Sequence, residues 1–245
     1  MKITFIGTGH GVPAAERATS STMITTGGVN YYVDAGAPVS ERTLKLGHKI
    51  EDAKAIFTTH AHGDHIAGLY QLLDLYNWYY RSSEIDVYLT EDRVRSALVE
   101  LLSATTKDVD TTRIHIHTCD KDTVYDDGTL RASFNPTAHM AILNRPSYGV
   151  LIEAEGKKIY FSGDLSQKLA ADDFPFDILK DVDLFVCELA HFTVDDIGER
   201  LSAIGAKRVA FNHVYPLEKY DLLNEMKGKY PFEILTPSDM ETIEI

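Results

Sequence analysis

Six consecutive residues, His60-Ala61-His62-Gly63-Asp64-His65, bring three imidazoles and a carboxylate together directly after the apolar run AKAIFTT. Neutral imidazole and carboxylate suit zinc, manganese and iron(II), and a tight turn lets neighbouring residues face two metal centres. Gly63 is expected to supply the bend, because glycine permits a sharp turn and a close backbone approach. A purely structural role would leave four adjacent ionisable groups at a strand end with nothing to satisfy them. Three more polar residues close apolar runs: His139 after SFNPTA, Asp164 after KKIYFSG and His213 after RVAFN. Singly, each has an ordinary explanation as a hydrogen-bonded histidine or a Ser-Gly-Asp turn. Their shared strand-end position, together with the six-residue cluster, makes His60, His62, Asp64, His65, His139, Asp164 and His213 candidate metal ligands.

Residues at strand ends need strands to carry them. KITFIG, STMITT, NYYVDAG and AKAIFTTH have the apolar, β-branched character of strands, and VSERTLKLG that of a helix. Apolar and aromatic residues from Ile66 to Tyr80 suit a second helix, followed by strand IDVYLT, helix EDRVRSALVELLSA and strand RIHIHT. Strands then continue through TLRASFNPTAH and SYGVLIEAEGKKIYFSGD, the latter folding back at Glu155-Gly156 as a hairpin. The C-terminal part reads as strand DLFVCEL, helix VDDIGERLSAIG closing on Gly205, strand RVAFNH, helix LEKYDLLNEMKG and strands FEILT and METIEI. Strands with helices inserted between pairs of them, twice over, predict an α/β fold: two β-sheets face to face with helices on the outside.

At 245 residues, without a repeat or a Pro/Ser-rich linker, residues 1–245 are expected to fold as one domain. No run approaches the ~18 to 20 apolar residues that span a bilayer, so no membrane partner is expected. The start, MKITFIGTGHGVP, reads as a strand and not as a signal peptide, which points to a cytoplasmic protein. Cys119 and Cys187 are too few for a disulfide framework and read as buried free thiols. A formal net charge of −13 disfavours long nucleic acids as partners. Two divalent ions would add about four positive charges inside the site and draw a small anionic substrate into it.

The HxHxDH pattern followed by strand-end His, Asp and His resembles the metallo-β-lactamase superfamily over essentially the whole chain. That resemblance implies a four-layer αββα sandwich of two mixed sheets. It also implies one metal held by His60, His62 and His139, a second held by Asp64, His65 and His213, and Asp164 bridging them. With Asp and not Cys at the bridging position, the chain resembles the esterase and phosphodiesterase branches more than the zinc β-lactamases. GTGHGVPAAERATSS and THAHGDHIAGLYQLL are similar to the glycine loop and metal loop of the ribonuclease Z type and its small phosphodiesterase relatives. His191, in HFTVDDIGERLSAIGAKRVAFNH, stands where that branch has a histidine leading a helix toward the last ligand, which implies a general acid for the leaving oxygen. The pattern departs where ribonuclease Z carries His-Glu-Ala-Thr. Here the run is Cys187-Glu188-Leu189-Ala190 and His191 follows at once. Residues 170–182 also lack a Gly/Pro-rich basic arm, which with the acidic charge argues against a tRNA substrate.

The reading is a binuclear hydrolase of a small or nucleotide-like phosphodiester, using metal-activated water with Asp64 as its proton acceptor and His191 as general acid. Zinc heads the ions that fit, with Mn2+ and Fe2+ as alternatives. The same site would serve a thioester or lactone hydrolase. A tRNA 3′-processing endonuclease and a non-catalytic metal-binding module rank below both. Gly7, Gly9 and Gly11 are weighed as a phosphate loop against a plain tight turn, with His10 a lesser candidate substrate contact. The aromatic run Tyr76, Trp78, Tyr79 and Tyr80 reads as core or a homodimer contact ahead of a base-stacking surface. His115 and His117 should share a solvent-side face of one strand, and His48 lacks context.

Overall fold

In the computed structural model the described residues are 1–167, 173–203 and 205–245. The stretch compared above with a basic arm includes residues 170–172, which lie outside them. The first sheet contains β1 (Lys2–Gly7), β2 (Ser21–Thr26), β3 (Val29–Val33), β4 (Ala53–Phe57), β5 (Ile85–Leu89) and β6 (Ile114–Thr118). The second contains β7 (Val124–Asp126), β8 (Arg131–Pro136), β9 (Tyr148–Ala154), β10 (Lys157–Phe161), β11 (Leu184–Leu189), β12 (Arg208–Val214) and β13 (Glu233–Leu235). The last strand, β14 (Glu241–Glu244), returns to the first sheet, giving β14-β1-β2-β3-β4-β5-β6 against β13-β12-β11-β10-β9-β8-β7. Both sheets are mixed: β3 to β6 and β10 to β13 are parallel, and the remaining pairs are antiparallel.

Alternation along the strands divides the apolar side chains among three layers. Between the sheets lie Ile3, Phe5, Tyr31 and Phe57 from one side and Phe134, Val150, Ile152 and Ile159 from the other. On the outer face of the first sheet, Tyr32, Ile56 and Val87 pack against Val39 of α1 (Val39–Lys45), Leu72 and Tyr76 of α3 (Leu69–Trp78) and Leu102 of α4 (Asp92–Thr105). A single turn, α2 (Gly63–Ile66), precedes α3. On the outer face of the second sheet, Tyr160, Phe185 and Phe211 pack against Leu179 of α5 (Phe176–Leu179), Ile197 and Leu201 of α6 (Val194–Ala203) and Leu223 of α7 (Lys219–Met226). The order helix, sheet, sheet, helix is the expected four-layer αββα sandwich, and no helix among the described residues is long and apolar enough to cross a membrane.

Local details follow from residue type. Glu155 and Gly156 have φ of 52° and 72°, the paired positive values of a type I′ turn, so β9 and β10 form the expected hairpin. Strand β7, only three residues long among Asp and Gly, had no readable signal. Tyr76 is wholly buried and donates to the carbonyls of Ile50 and Ala53, whereas Trp78 and Tyr79 are exposed. They sit at the C-terminal end of α3, near the start of β5, while the metal loop follows the end of β4. The aromatic run therefore splits between core and surface, toward the opposite end of the strands from the histidine cluster.

Candidate metal centre

Every candidate ligand stands where a strand stops. His60 and His62 follow β4, Asp64 and His65 ride on α2, and His139 and Asp164 follow β8 and β10, strands that run in the same direction. His213 lies in β12 at φ 53°, where the pairing with β11 skips it: Glu188 faces Asn212 and Leu189 faces Val214. This bulge turns the imidazole out of the ladder and into the site, a costly local conformation of the kind found at functional centres.

The structure brings all seven together in two groups, His60, His62, His139 with Asp164, and Asp64, His65 with His213. Asp164 faces both. Its Oδ2 lies 3.8 Å from His60 Nε2, 3.7 Å from His139 Nε2 and 3.2 Å from His213 Nε2, and its Oδ1 lies 3.4 Å from His65 Nε2. Asp64 Oδ2 is 3.6 Å from His65 Nε2 and 3.7 Å from His213 Nε2. Ligands ~2.0–2.1 Å from a tetrahedral ion stand about 3.3 Å apart, close to these separations. His65 Nε2, Asp164 Oδ1 and His213 Nε2 are buried and lack a hydrogen-bond partner among the described residues. Such atoms are costly unless something else satisfies them, and here all three converge on one place. The donor set thus fits two divalent ions.

Outer contacts fix the rings. His65 Nδ1 donates to Asp34 at 2.7 Å, His139 Nδ1 to the Leu165 carbonyl at 3.2 Å and His213 Nδ1 to the Gly9 carbonyl at 3.1 Å, so each presents Nε2 to the centre. Burial holds His60, His62 and His139 below the ordinary histidine pKa, with neighbouring imidazoles adding to it at His60 and His62, which favours the neutral form that binds metal. Burial opposes a charge on His65 and His213 as well, but Asp34 and Asp164 raise the first and Asp164 the second. Asp164, for which burial would favour the acid, is held well below the carboxylate range by His213, His65 and His60.

Asp34 is the residue sequence reasoning missed. It stands at the end of β3 with φ 59° and also accepts from the Thr59 amide at 2.8 Å and the Thr59 hydroxyl. The signal was available, since the Asp in YYVDAG closes an apolar strand as Asp164 does. Gly63, in contrast, is not needed for the bend: a side chain there would meet open space. Close approach is needed instead at Gly36, where a Cβ would lie 2.4 Å from the Asp64 carbonyl oxygen.

His191 follows β11 beside the first group, its ring 4.8 Å from that of His139. Its Nδ1 donates to Glu188 at 2.6 Å, leaving Nε2 for the site. Burial works against the charged ring, but the hydrogen bond and charge of Glu188 outweigh it and raise the pKa. His10 stacks on Tyr215 at 4.6 Å and lies 4.9 Å from His213, which places the glycine loop against the centre. Asp239 holds that loop by accepting from the amides of Thr8 and Ala18 while pairing with Arg42. His115 and His117 share a face as expected, both beside Asp86 and away from the centre. A cleft of 620 Å³ opens beside the cluster, lined by His62, His139, His191 and the apolar turn Met140–Leu143.

The sequence matches the family model of the anti-Pycsar protein Apyc1 over residues 1–225. The chain belongs to the Apyc1 family. Its αββα sandwich is the metallo-β-lactamase fold: this Apyc1-family chain superposes on the metallo-β-lactamase fold protein YhfI of Bacillus subtilis with a TM-score of 0.78, at 20% identity over 99% of this chain and 98% of that one. The short form of human tRNase Z gives 0.76 at 20% identity over 100% and 99%. A ribonuclease Z of Pseudomonas putida is 39% identical over 104 residues, 40% of this chain and 33% of that protein, so the match spans about a third of its relative's length.

Proposed function

We propose that this chain is a metal-dependent hydrolase that cleaves a small phosphodiester at a centre of two divalent ions. The observation that carries this is the position of Asp164 between two ligand groups, with the Glu188-held His191 at their rim. His60, His62 and His139 would hold one ion and Asp64, His65 and His213 the other, with Asp164 shared. Zinc fits the donors best, and manganese or iron(II) suits them too. When bound, two such ions supply a water of lowered pKa and neutralise charge on phosphoryl oxygens.

The chain's own side chains do the rest. Asp64 accepts the proton of the attacking water on its carboxylate. His191 delivers a proton from Nε2 to the departing alkoxide while Glu188 holds Nδ1–H and stabilises the cation beforehand. Met140 to Leu143 form an apolar wall beside the site that shelters the organic part of a substrate from water. The acidic surface, net −13, turns long polyanions away, while the cationic centre draws a small one.

The test pairs elemental analysis with turnover of bis(p-nitrophenyl) phosphate and of a thioester, before and after chelation. Two metals per chain and chelator-sensitive diester cleavage are expected. Thioester turnover alone would replace the reading with acyl hydrolysis, and failure of the reconstituted protein to retain metal would overturn the ligand assignment.

A further inference from the structure

The segment that carries His191 has no secondary structure of its own, because β11 ends at Leu189 and α6 begins at Val194. A general acid on so short an irregular link needs its backbone fixed from outside, since a misplacement of ~1 Å can cost on the order of 100-fold in rate. The amides are held from below. Glu188 Oε2 accepts from the amides of Ala190 at 2.6 Å and His191 at 3.2 Å, while Oε1 accepts from the Leu165 amide at 2.9 Å and from His191 Nδ1.

The carbonyls are held from the other side by a single lysine. Lys219 Nζ donates to the carbonyls of Leu189 at 2.9 Å, Ala190 at 3.0 Å and Phe192 at 2.7 Å, so its three donors bracket His191 in sequence. Lys219 opens α7, which follows β12 and therefore the His213 bulge. One side chain thus ties the link bearing His191 to the strand bearing the last candidate ligand. With all three N–H bonds spent on backbone oxygens, the ammonium has none left for a substrate.

We infer that Lys219 is a positioning residue for the general acid, setting where His191 Nε2 meets the leaving oxygen by clamping the carbonyls on either side of it. This rests on the role given to His191 above. Proton transfer to the leaving group matters most when that group is a poor one. A clamp that acts through His191 must therefore matter most for poor leaving groups, whereas a residue that only supports the fold affects all substrates alike.

The experiment compares the metal-loaded wild-type protein with Lys219→Met, His191→Ala and the double variant, on two thymidine 5′-aryl phosphates whose leaving groups are p-nitrophenol and unsubstituted phenol. For Lys219→Met, kcat on the phenyl ester falls about 10-fold or more and on the p-nitrophenyl ester at most about 3-fold, with KM and metal content as in wild type. His191→Ala shows the same selectivity, and adding Lys219→Met to it changes kcat no further. If Lys219→Met melts without cooperativity, Lys219→Gln, which keeps two of the donors, is read in its place. Equal losses on the two esters, or losses that multiply in the double variant, overturn the inference while leaving His191 as the acid. A His191→Ala variant without leaving-group selectivity overturns both.

Discussion

Asp34 reaches the centre through the hydrogen bond it accepts from His65 Nδ1 and through the Thr59 hydroxyl, which also meets His60 Nδ1. Replacing Asp34 by Ala frees the His65 ring to turn and leaves two buried donors, the Thr59 amide and hydroxyl, without their acceptor. Metal affinity of Asp34→Ala is expected to fall about 10- to 100-fold, measured by competition with a chromophoric chelator. An unchanged affinity would show that His65 is oriented by packing alone. Asp164 is the more severe case because it faces both ligand groups. Asp164→Ala should retain fewer than two metals per chain by elemental analysis and lose diester turnover, and two tightly held metals in that variant would refute the sharing assigned to it.

Elements succeed or fail by how their ends are tied. Helix α3 is anchored on the first sheet by Tyr76, whose hydroxyl meets the carbonyls of Ile50 and Ala53 in a fully buried position. Tyr76→Phe keeps the packing and strips both partners, so a loss of about 1–3 kcal/mol in chemical denaturation is expected, with turnover per folded molecule unchanged. The turn after β7 depends on Asp127, which accepts from the hydroxyls of Tyr31 and Tyr125 and from the amides of Thr129 and Leu130. Burial alone would raise its pKa, but these hydrogen bonds lower it. A carboxylate depressed in the folded state stabilises above its unfolded pKa, about 3.9, and loses that contribution as pH falls through the folded value. Asp127→Asn should therefore be less stable than wild type at neutral pH, and the gap in melting temperature should close as the pH drops below the carboxylate range. A gap independent of pH would assign the effect to geometry instead of charge.

For the whole molecule, a metal-loaded centre would also act as a fastener, because its candidate ligands come from both sheets. His60, His62, Asp64 and His65 belong to the first, and His139, Asp164 and His213 to the second. Ligands that bind only the folded state stabilise it by mass action, so chelation should lower the melting temperature and added zinc should restore it. A melting temperature indifferent to chelation would argue against metal bound across the sheets.

The sequence by itself was enough for the seven candidate ligands, the alternation of strands and helices and the four layers they build. Each of those signals is local: a dense run of imidazoles, an apolar strand ending in a polar residue, a period of two or of 3.6. Gly63 shows the limit of that locality, since the glycine beside the ligands proved unnecessary and the close approach fell to Gly36, distant in sequence. Asp34 closed an apolar strand in plain view, but its pairing with His65, and that of Lys219 with the link around His191, could be placed only by tertiary structure, because such partners are decided by which segments meet. The aromatic run was similarly ambiguous until the direction of α3 set Tyr76 in the core and Trp78 and Tyr79 far from the centre. Ligand identity is carried by side-chain chemistry that the chain displays in order, whereas orientation is carried by hydrogen bonds between segments as far apart as Glu188 and Lys219, which only packing brings within reach.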